Sequence, residues 1–257
     1  MKIRFWTIVF LCGLLGLQAG CGSREESGSR EEAGHSSGQE DTALFLEPME
    51  LLQFEDPDNE NLADMLQRAG SGMMVQLRAG GLLGSGVICG TEGDRLLILT
   101  AAHVLEEAGD AVEVVFAEHV SVLTEEFECF AAGDFALVRV SGSDVPENTL
   151  DRCLCANIDK DSFDEATGGQ GCIVMGSRSG VAAEAYEGVI LDHWIYMEDY
   201  GQYMMWVKAE GKQGMSGGGL FDRQGHFLGI ISGGSEDGEL AVVPLSLILV
   251  EVELPQS

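Results

Sequence analysis

The stretch "EGKQGMSGGGLFD", Glu210 to Asp222, sets one serine, Ser216, among five glycines. Glycine lets the backbone turn sharply and leaves space around a hydroxyl. A surface loop with no chemistry is built the same way, so the segment alone leaves its role open. Gly214-Met215-Ser216-Gly217-Gly218 also fits the G-x-S-x-G elbow, in which the acid and histidine follow the serine along the chain. His226 is the only histidine after Ser216, and no alternation of strands with long helices leads into the serine. The elbow reading is set aside.

Two stretches upstream supply the missing groups. "ILTAAHVL", Ile98 to Leu105, places His103 directly after a strand-like run, at the start of a short helical turn. "AAGDFALVRV", Ala131 to Val140, puts Asp134 at the entrance of another strand, where it can receive Nδ1–H of an imidazole and fix its tautomer. Taken singly, the histidine reads as packed or solvated and the aspartate as a turn residue. In the order His103, Asp134, Ser216 they form a base, its orienting carboxylate and a nucleophile. Gly214 permits a conformation in which its own amide and that of Ser216 aim into one cavity, an oxyanion hole.

About eleven short β-prone runs separated by glycine or acidic turns follow Gly72, including "MMVQLRA", "GSGVICG", "RLLILTAA", "GCIVMG", "YEGVILDHW" and "LAVVPLSLILVEVEL". Without intervening long helices, they predict an all-β fold of antiparallel sandwiches or barrels. Residues 42–71 carry apolar side chains at three- and four-residue spacing and predict helix. Val145-Pro146-Glu147-Asn148 is a natural connection between two sets of strands.

"LTAAHV", "DFALVRV" and "GMSGGGLF", in that order, resemble the three catalytic blocks of trypsin-like serine peptidases. "GSGVI" before the histidine and "VMGSRSG" followed by "EGVI" bring the chain nearest to the bacterial HtrA type. The resemblance covers roughly residues 72–250. It implies two six-stranded antiparallel barrels, about 72–145 and 155–254, with the active site in the cleft between them. It also implies His103, Asp134 and Ser216 as catalytic residues and the amides of Gly214 and Ser216 as the oxyanion hole. Activity is then expected to rise as His103 loses its proton toward neutral pH. Protein or peptide substrates are implied, and no metal or organic cofactor. The alternative is a weak or inactive member of the same fold that serves as a binding or scaffolding module.

The chain departs from the family at several points. Met215 stands where zymogen-type members carry an aspartate that pairs with a new N-terminus, so activity without proteolytic priming is expected. Gly219 replaces a usual proline, which predicts extra backbone freedom. No cysteine flanks His103, and the residues after Leu254 are too few for a PDZ domain. Glu210 occupies the position where an acidic group selects basic side chains, with Ser232, Gly233 and Gly234 as the adjacent pocket wall. A preference for Lys or Arg before the scissile bond follows as an expectation.

With 14 basic and 43 acidic residues, the formal charge of −29 argues against binding nucleic acid or docking electrostatically on anionic lipid. Lys2 and Arg4 followed by the apolar run Phe5 to Leu17 read as an export signal. "LQAGCGS" resembles a bacterial lipoprotein processing site, which predicts lipidation of Cys21 and anchorage at the outer face of a bacterial cell membrane. Residues 22–41, with no aliphatic side chain larger than alanine, predict a flexible tether. Cys89, Cys129, Cys153, Cys155 and Cys172 read as small buried hydrophobes, with a disulfide between two of them left open.

Overall fold

The computed structural model describes residues 49–51, 62–180, 182–235 and 237–255, with the backbone alone for 62–66. The expected signal, the Cys21 site, the tether and most of residues 42–61 lie outside these.

The first sheet is built from β2 (Met74–Ala79), β3 (Leu82–Glu92), β4 (Arg95–Thr100), β5 (Val112–Val115), β6 (Ser121–Thr124), β7 (Phe127–Phe130) and β8 (Phe135–Ser141). They run in the order β6-β5-β2-β3-β4-β8-β7, all antiparallel. Seven strands stand where six were expected. The difference is one interruption, because β6 and β7 lie at opposite edges of the sheet yet are separated in the chain only by Glu125 and Glu126. Two residues cannot cross an open sheet, so the sheet must roll up. Thr124 Oγ1 donates to the Arg139 carbonyl at 2.6 Å, and the Arg139 amide donates to Glu126 at 2.8 Å, which ties the seam to β8. Read as one bent strand, β6–β7 restores a six-stranded barrel. Its exposed acidic and polar positions hide it from a search for apolar runs.

The second barrel is closed, in the order β10-β11-β12-β15-β14-β13. Its strands are β10 (Gly171–Gly176), β11 (Glu184–Met197), β12 (Gln202–Ala209), β13 (Gly219–Asp222), β14 (Phe227–Gly234) and β15 (Glu239–Pro244). The long apolar run at the end of the sequence divides at Pro244, where strand gives way to helix α4 (Leu245–Glu251). Proline cannot donate to a ladder but fits at a helix start. Leu245, Ile248 and Val252 then recur at helical spacing and are buried.

Between the barrels the chain forms helix α2 (Glu147–Leu150), strand β9 (Leu154–Cys155) and helix α3 (Lys160–Glu165). The N-terminal residues divide as well. Helix α1 covers Leu62–Met73, but Glu50–Leu51 form strand β1, paired parallel with β9 rather than helical. That pairing joins residues a hundred positions apart, which local spacing cannot reveal.

Strands β2, β4 and β10 are buried at nearly every position. Their inward side chains fill the barrels, while the other face is covered by α1, the connecting segment or the opposite barrel. Each fully buried Leu, Ile, Val or Phe contributes about 1.5–3 kcal/mol from burial. All five described cysteines are free thiols; four are buried as expected, and Cys129 is exposed. Burial pushes the thiols of Cys155 and Cys172 up to about 12 and that of Cys153 to about 11, so they stay protonated and inert.

Candidate active site

His103 sits in a 3-10 turn, Ala102–Leu105, that begins as β4 ends, and Asp134 lies directly before β8. Because β4 and β8 are paired neighbours, the fold sets the two residues side by side. The Asp134 carboxylate takes two bonds from His103, from ring Nδ1 to Oδ2 at 2.8 Å and from the backbone amide to Oδ1 at 2.9 Å. Such a fork fixes both ring orientation and tautomer, leaving Nε2 as the free face of the imidazole. Ser232 Oγ donates a third bond, to Oδ2. Burial raises the Asp134 pKa. The ring bond and charge of His103, the Ser232 hydroxyl and the His103 amide together outweigh it and hold the carboxyl below its ordinary value.

Tyr200, at the tip of the β11–β12 hairpin, is hydrogen-bonded through its hydroxyl to Ser232. Burial, together with the nearby charges of Asp134 and Asp199, pushes the Tyr200 phenol up to about 12, despite the opposing Ser232 bond. It therefore stays protonated at neutral pH.

Ser216 lies between β12 and β13, on the second barrel, in the loop quoted at the outset. The Met215 amide donates to the Lys212 carbonyl at 3.1 Å, and Gly214 has φ +90°. This is the pattern of a type II turn, which requires a positive φ at its third residue and so selects glycine. Neither the Gly214 nor the Ser216 amide donates to another group among the described residues. Gly217 is confined further still: at φ +82°, an added Cβ would lie 2.1 Å from the Ser85 carbonyl oxygen.

Ser85, at the heart of "GSGVI", joins the two barrels at this loop. Its amide donates to the Ser216 carbonyl at 2.7 Å, and its hydroxyl donates to the Gly214 carbonyl at 2.7 Å. The same hydroxyl accepts from the Ser177 amide at 2.9 Å, while Thr100 Oγ1 donates to the Ser85 carbonyl at 2.7 Å.

His103, Asp134 and Ser216 thus meet in one connected network, although no hydrogen bond joins His103 to Ser216 among the described residues. The Ser216 hydroxyl instead donates to the Ser232 carbonyl at 3.3 Å. Ser232 touches both halves of the constellation, Asp134 with its side chain and Ser216 with its backbone. It was expected only as pocket wall.

The other pocket residues are placed differently from expectation. Glu210 points into solvent and pairs with Lys212 at 3.3 Å, with its side chain 63% exposed. It cannot line the floor of a pocket. The space between Gly211 and Gly234 is filled by Leu240, which is buried; a Cβ added at either glycine would lie 2.5 or 2.8 Å from Leu240 Cδ2. Gly233 lies against the Tyr200 hydroxyl, 2.4 Å from the place of an added Cβ. Gly219 is not loosened by the missing proline: it is held in β13 between β10 and β14. Met215 is buried, with its backbone packed against Gly176.

A second histidine–aspartate pair, His226 Nδ1 to Asp222 Oδ2 at 2.8 Å, closes the β13–β14 turn. Asp222 Oδ1 there accepts the amides of Gln224 and His226, a local turn clasp rather than a long-range meeting. Sequence reasoning missed Tyr200, Leu240 and the part played by Ser85. Ser85 and Leu240 lay inside quoted stretches, but only the glycine-flanked Ser85 stood in one tied to the catalytic blocks.

A family profile described as trypsin-like peptidase domain matches residues 84–230, more than half of the chain. No protein of curated function matches this sequence. Among solved structures, the inactive form of the Rv3671c protease is similar at TM-score 0.58 and 20% identity, covering 75% of this chain and 94% of that one. The active form of Rv3671c from M. tuberculosis gives TM-score 0.57 at 19% identity, covering 81% and 91%. A variant of the HtrA-type protease AlgW with a tripeptide gives 0.58 at 21%, covering 74% of this chain and 61% of that one. With the matched profile spanning the histidine, aspartate and serine blocks on two rolled antiparallel sheets, the chain belongs to the trypsin-like peptidase domain family and has its two-barrel fold.

Proposed function

We propose that this protein is a serine endopeptidase working through His103, Asp134 and Ser216. His103 Nε2 takes the Ser216 proton as Oγ attacks the scissile carbonyl carbon. The resulting oxyanion is received by the amides of Gly214 and Ser216. The imidazolium, steadied by Asp134, gives its proton to the departing amine, leaving an acyl-enzyme. Water, deprotonated by the same imidazole, then attacks the ester and releases the acid. Each oxyanion donor accounts for about 10²–10³ in rate in enzymes of this chemistry.

The observation that carries the reading is the shared network. The forked His103–Asp134 pair and the Ser216 loop are bound to the same residue, Ser232, beside two amides with no other acceptor among the described residues. The pocket filled by Leu240 supports cleavage after small side chains rather than after Lys or Arg. The N-terminal sequence supports export, with Cys21 lipidated at the outer face of the membrane and residues 22–41 as its tether.

A second reading rests on the Ser216–Ser232 bond, in which the hydroxyl faces a carbonyl instead of the base. A non-catalytic binding module would keep it so. A fluorophosphonate probe separates the two readings. The peptidase labels as wild type and loses labelling as Ser216→Ala, and an N-terminomic digest then shows cleavage after small residues. An unlabelled, folded wild type would establish the binding module instead. Palmitate incorporation that persists in Cys21→Ala would remove the anchor.

A further inference from the structure

The mechanism above needs the Gly214 amide to point into the cavity, and nothing within its own turn guarantees that. A type I turn over Lys212–Met215 would keep the same closing hydrogen bond, at negative φ, with the central peptide reversed. Glycine tolerates both forms. In the reversed form the Gln213 carbonyl, not the Gly214 N–H, would face the substrate and repel an oxyanion. In zymogen-type members an aspartate before the serine secures this loop, and here that residue is a buried methionine with no charge to offer.

Arg178 supplies what Met215 cannot. Its Nε donates to the Gln213 carbonyl at 2.6 Å, the carbonyl of the peptide whose N–H belongs to Gly214. The two ends of a trans peptide point in opposite directions, so holding that oxygen on the Arg178 side aims the N–H the other way. The guanidinium is itself fixed. Nη1 reaches both Glu184 oxygens at 3.1 Å, Glu184 accepts the Tyr186 hydroxyl at 2.6 Å, and Gln76 of the first barrel donates to the Arg178 carbonyl. Its stem lies along Gly214, with Cγ 3.4 Å from an added Cβ. The next carbonyl, of Gly214, is held by Ser85. Both carbonyls flanking the Gly214 residue are therefore anchored by groups outside the loop.

We infer that Arg178 is a positioning residue that locks the Gln213–Gly214 peptide in the oxyanion-receiving orientation. It replaces an ion pair at position 215 with a hydrogen bond to the backbone. The assignment rests on the peptidase reading of Ser216. It also makes the oxyanion hole a preformed feature, ready without cleavage of the chain.

The test measures the rate of fluorophosphonate labelling in the full chain. Arg178→Met keeps the stem against Gly214 and removes the donors. It should label about 10- to 100-fold more slowly than wild type, with an unchanged melting temperature. Arg178→Ala should be slow likewise and recover speed when ethylguanidinium is added, which a merely structural role would not allow. Labelling of Arg178→Met within about threefold of wild type overturns the assignment, by comparison with that expected loss. If Arg178→Met does not fold, the guanidinium response of Arg178→Ala decides: recovery supports the lock and no recovery overturns it. A wild type that never labels overturns the peptidase reading, and the lock falls with it; a labelled wild type with an equally fast variant overturns the lock alone.

Discussion

Leu240 offers the sharpest quantitative test of how this site chooses its substrate. Its Cδ2 bridges Gly211 and Gly234, which on the proposed peptidase reading are the two walls between which an incoming side chain would lie. Leu240→Ala removes three carbons from that space. At about 0.8 kcal/mol per buried methylene, a substrate side chain three carbons larger should gain about 2.4 kcal/mol, or roughly 60-fold. The assay compares kcat/KM for two peptides identical except for alanine or leucine before the scissile bond. Wild type should prefer alanine, and the variant should shift the leucine-to-alanine ratio by roughly the factor above. The same truncation costs about 2–5 kcal/mol if the site stays empty, so melting is measured alongside and Leu240→Val serves as the milder variant. A folded variant whose ratio moves by less than about threefold would refute the reasoning, since even one methylene in a pocket is worth at least that. A wild type that cleaves best after Lys or Arg would refute it too.

Three further outcomes are expected. Met215→Asp places a carboxylate in a buried position with no cation provided, and should lose several kcal/mol in urea unfolding, whereas Met215→Leu should lose less than about 1.5. The Asp134 pKa is lowered on folding, so its ionised form contributes stability present above the unfolded value of about 3.9 and lost as pH falls through the lower folded value; Asp134→Asn should flatten stability against pH in that window and abolish turnover. Tyr200→Phe removes the hydrogen bond between Tyr200 and Ser232 and should cost about 0.5–1.5 kcal/mol in thermal unfolding, with the Ser216 labelling rate falling only a few-fold.

What could be read from the sequence was whatever is local. Asp134 sits at the entrance of a strand and His103 and Ser216 within a few residues of one, beside alanines, a β-branched run or glycines that mark the turn. The all-β class followed from short runs broken by glycine. What stayed hidden depends on meetings across the chain. Leu240 looks like any strand leucine until its neighbours prove to be two glycines. Ser232 seemed a wall residue because its partner, Asp134, is almost a hundred positions earlier. Arg178 and Tyr200 lie in loops whose composition says nothing about what they reach. The β6–β7 strand escaped because its exposed, partly acidic face lacks apolar periodicity, and α4 because an apolar run reads as strand until Pro244 is taken as a helix start.

On the proposed mechanism, Ser85 has a bearing on when the chain first becomes reactive. Chains are made from the N-terminus, and domains commonly fold in that order. The backbone around Ser216 draws two hydrogen bonds from a residue synthesised more than a hundred positions earlier. A fragment beginning after the first barrel would carry Ser216 without His103, and without the scaffold that shapes its loop. On the proposed mechanism, reactivity arrives only with completion and docking of both halves, so a chain that stops short of the second barrel has a base and no nucleophile.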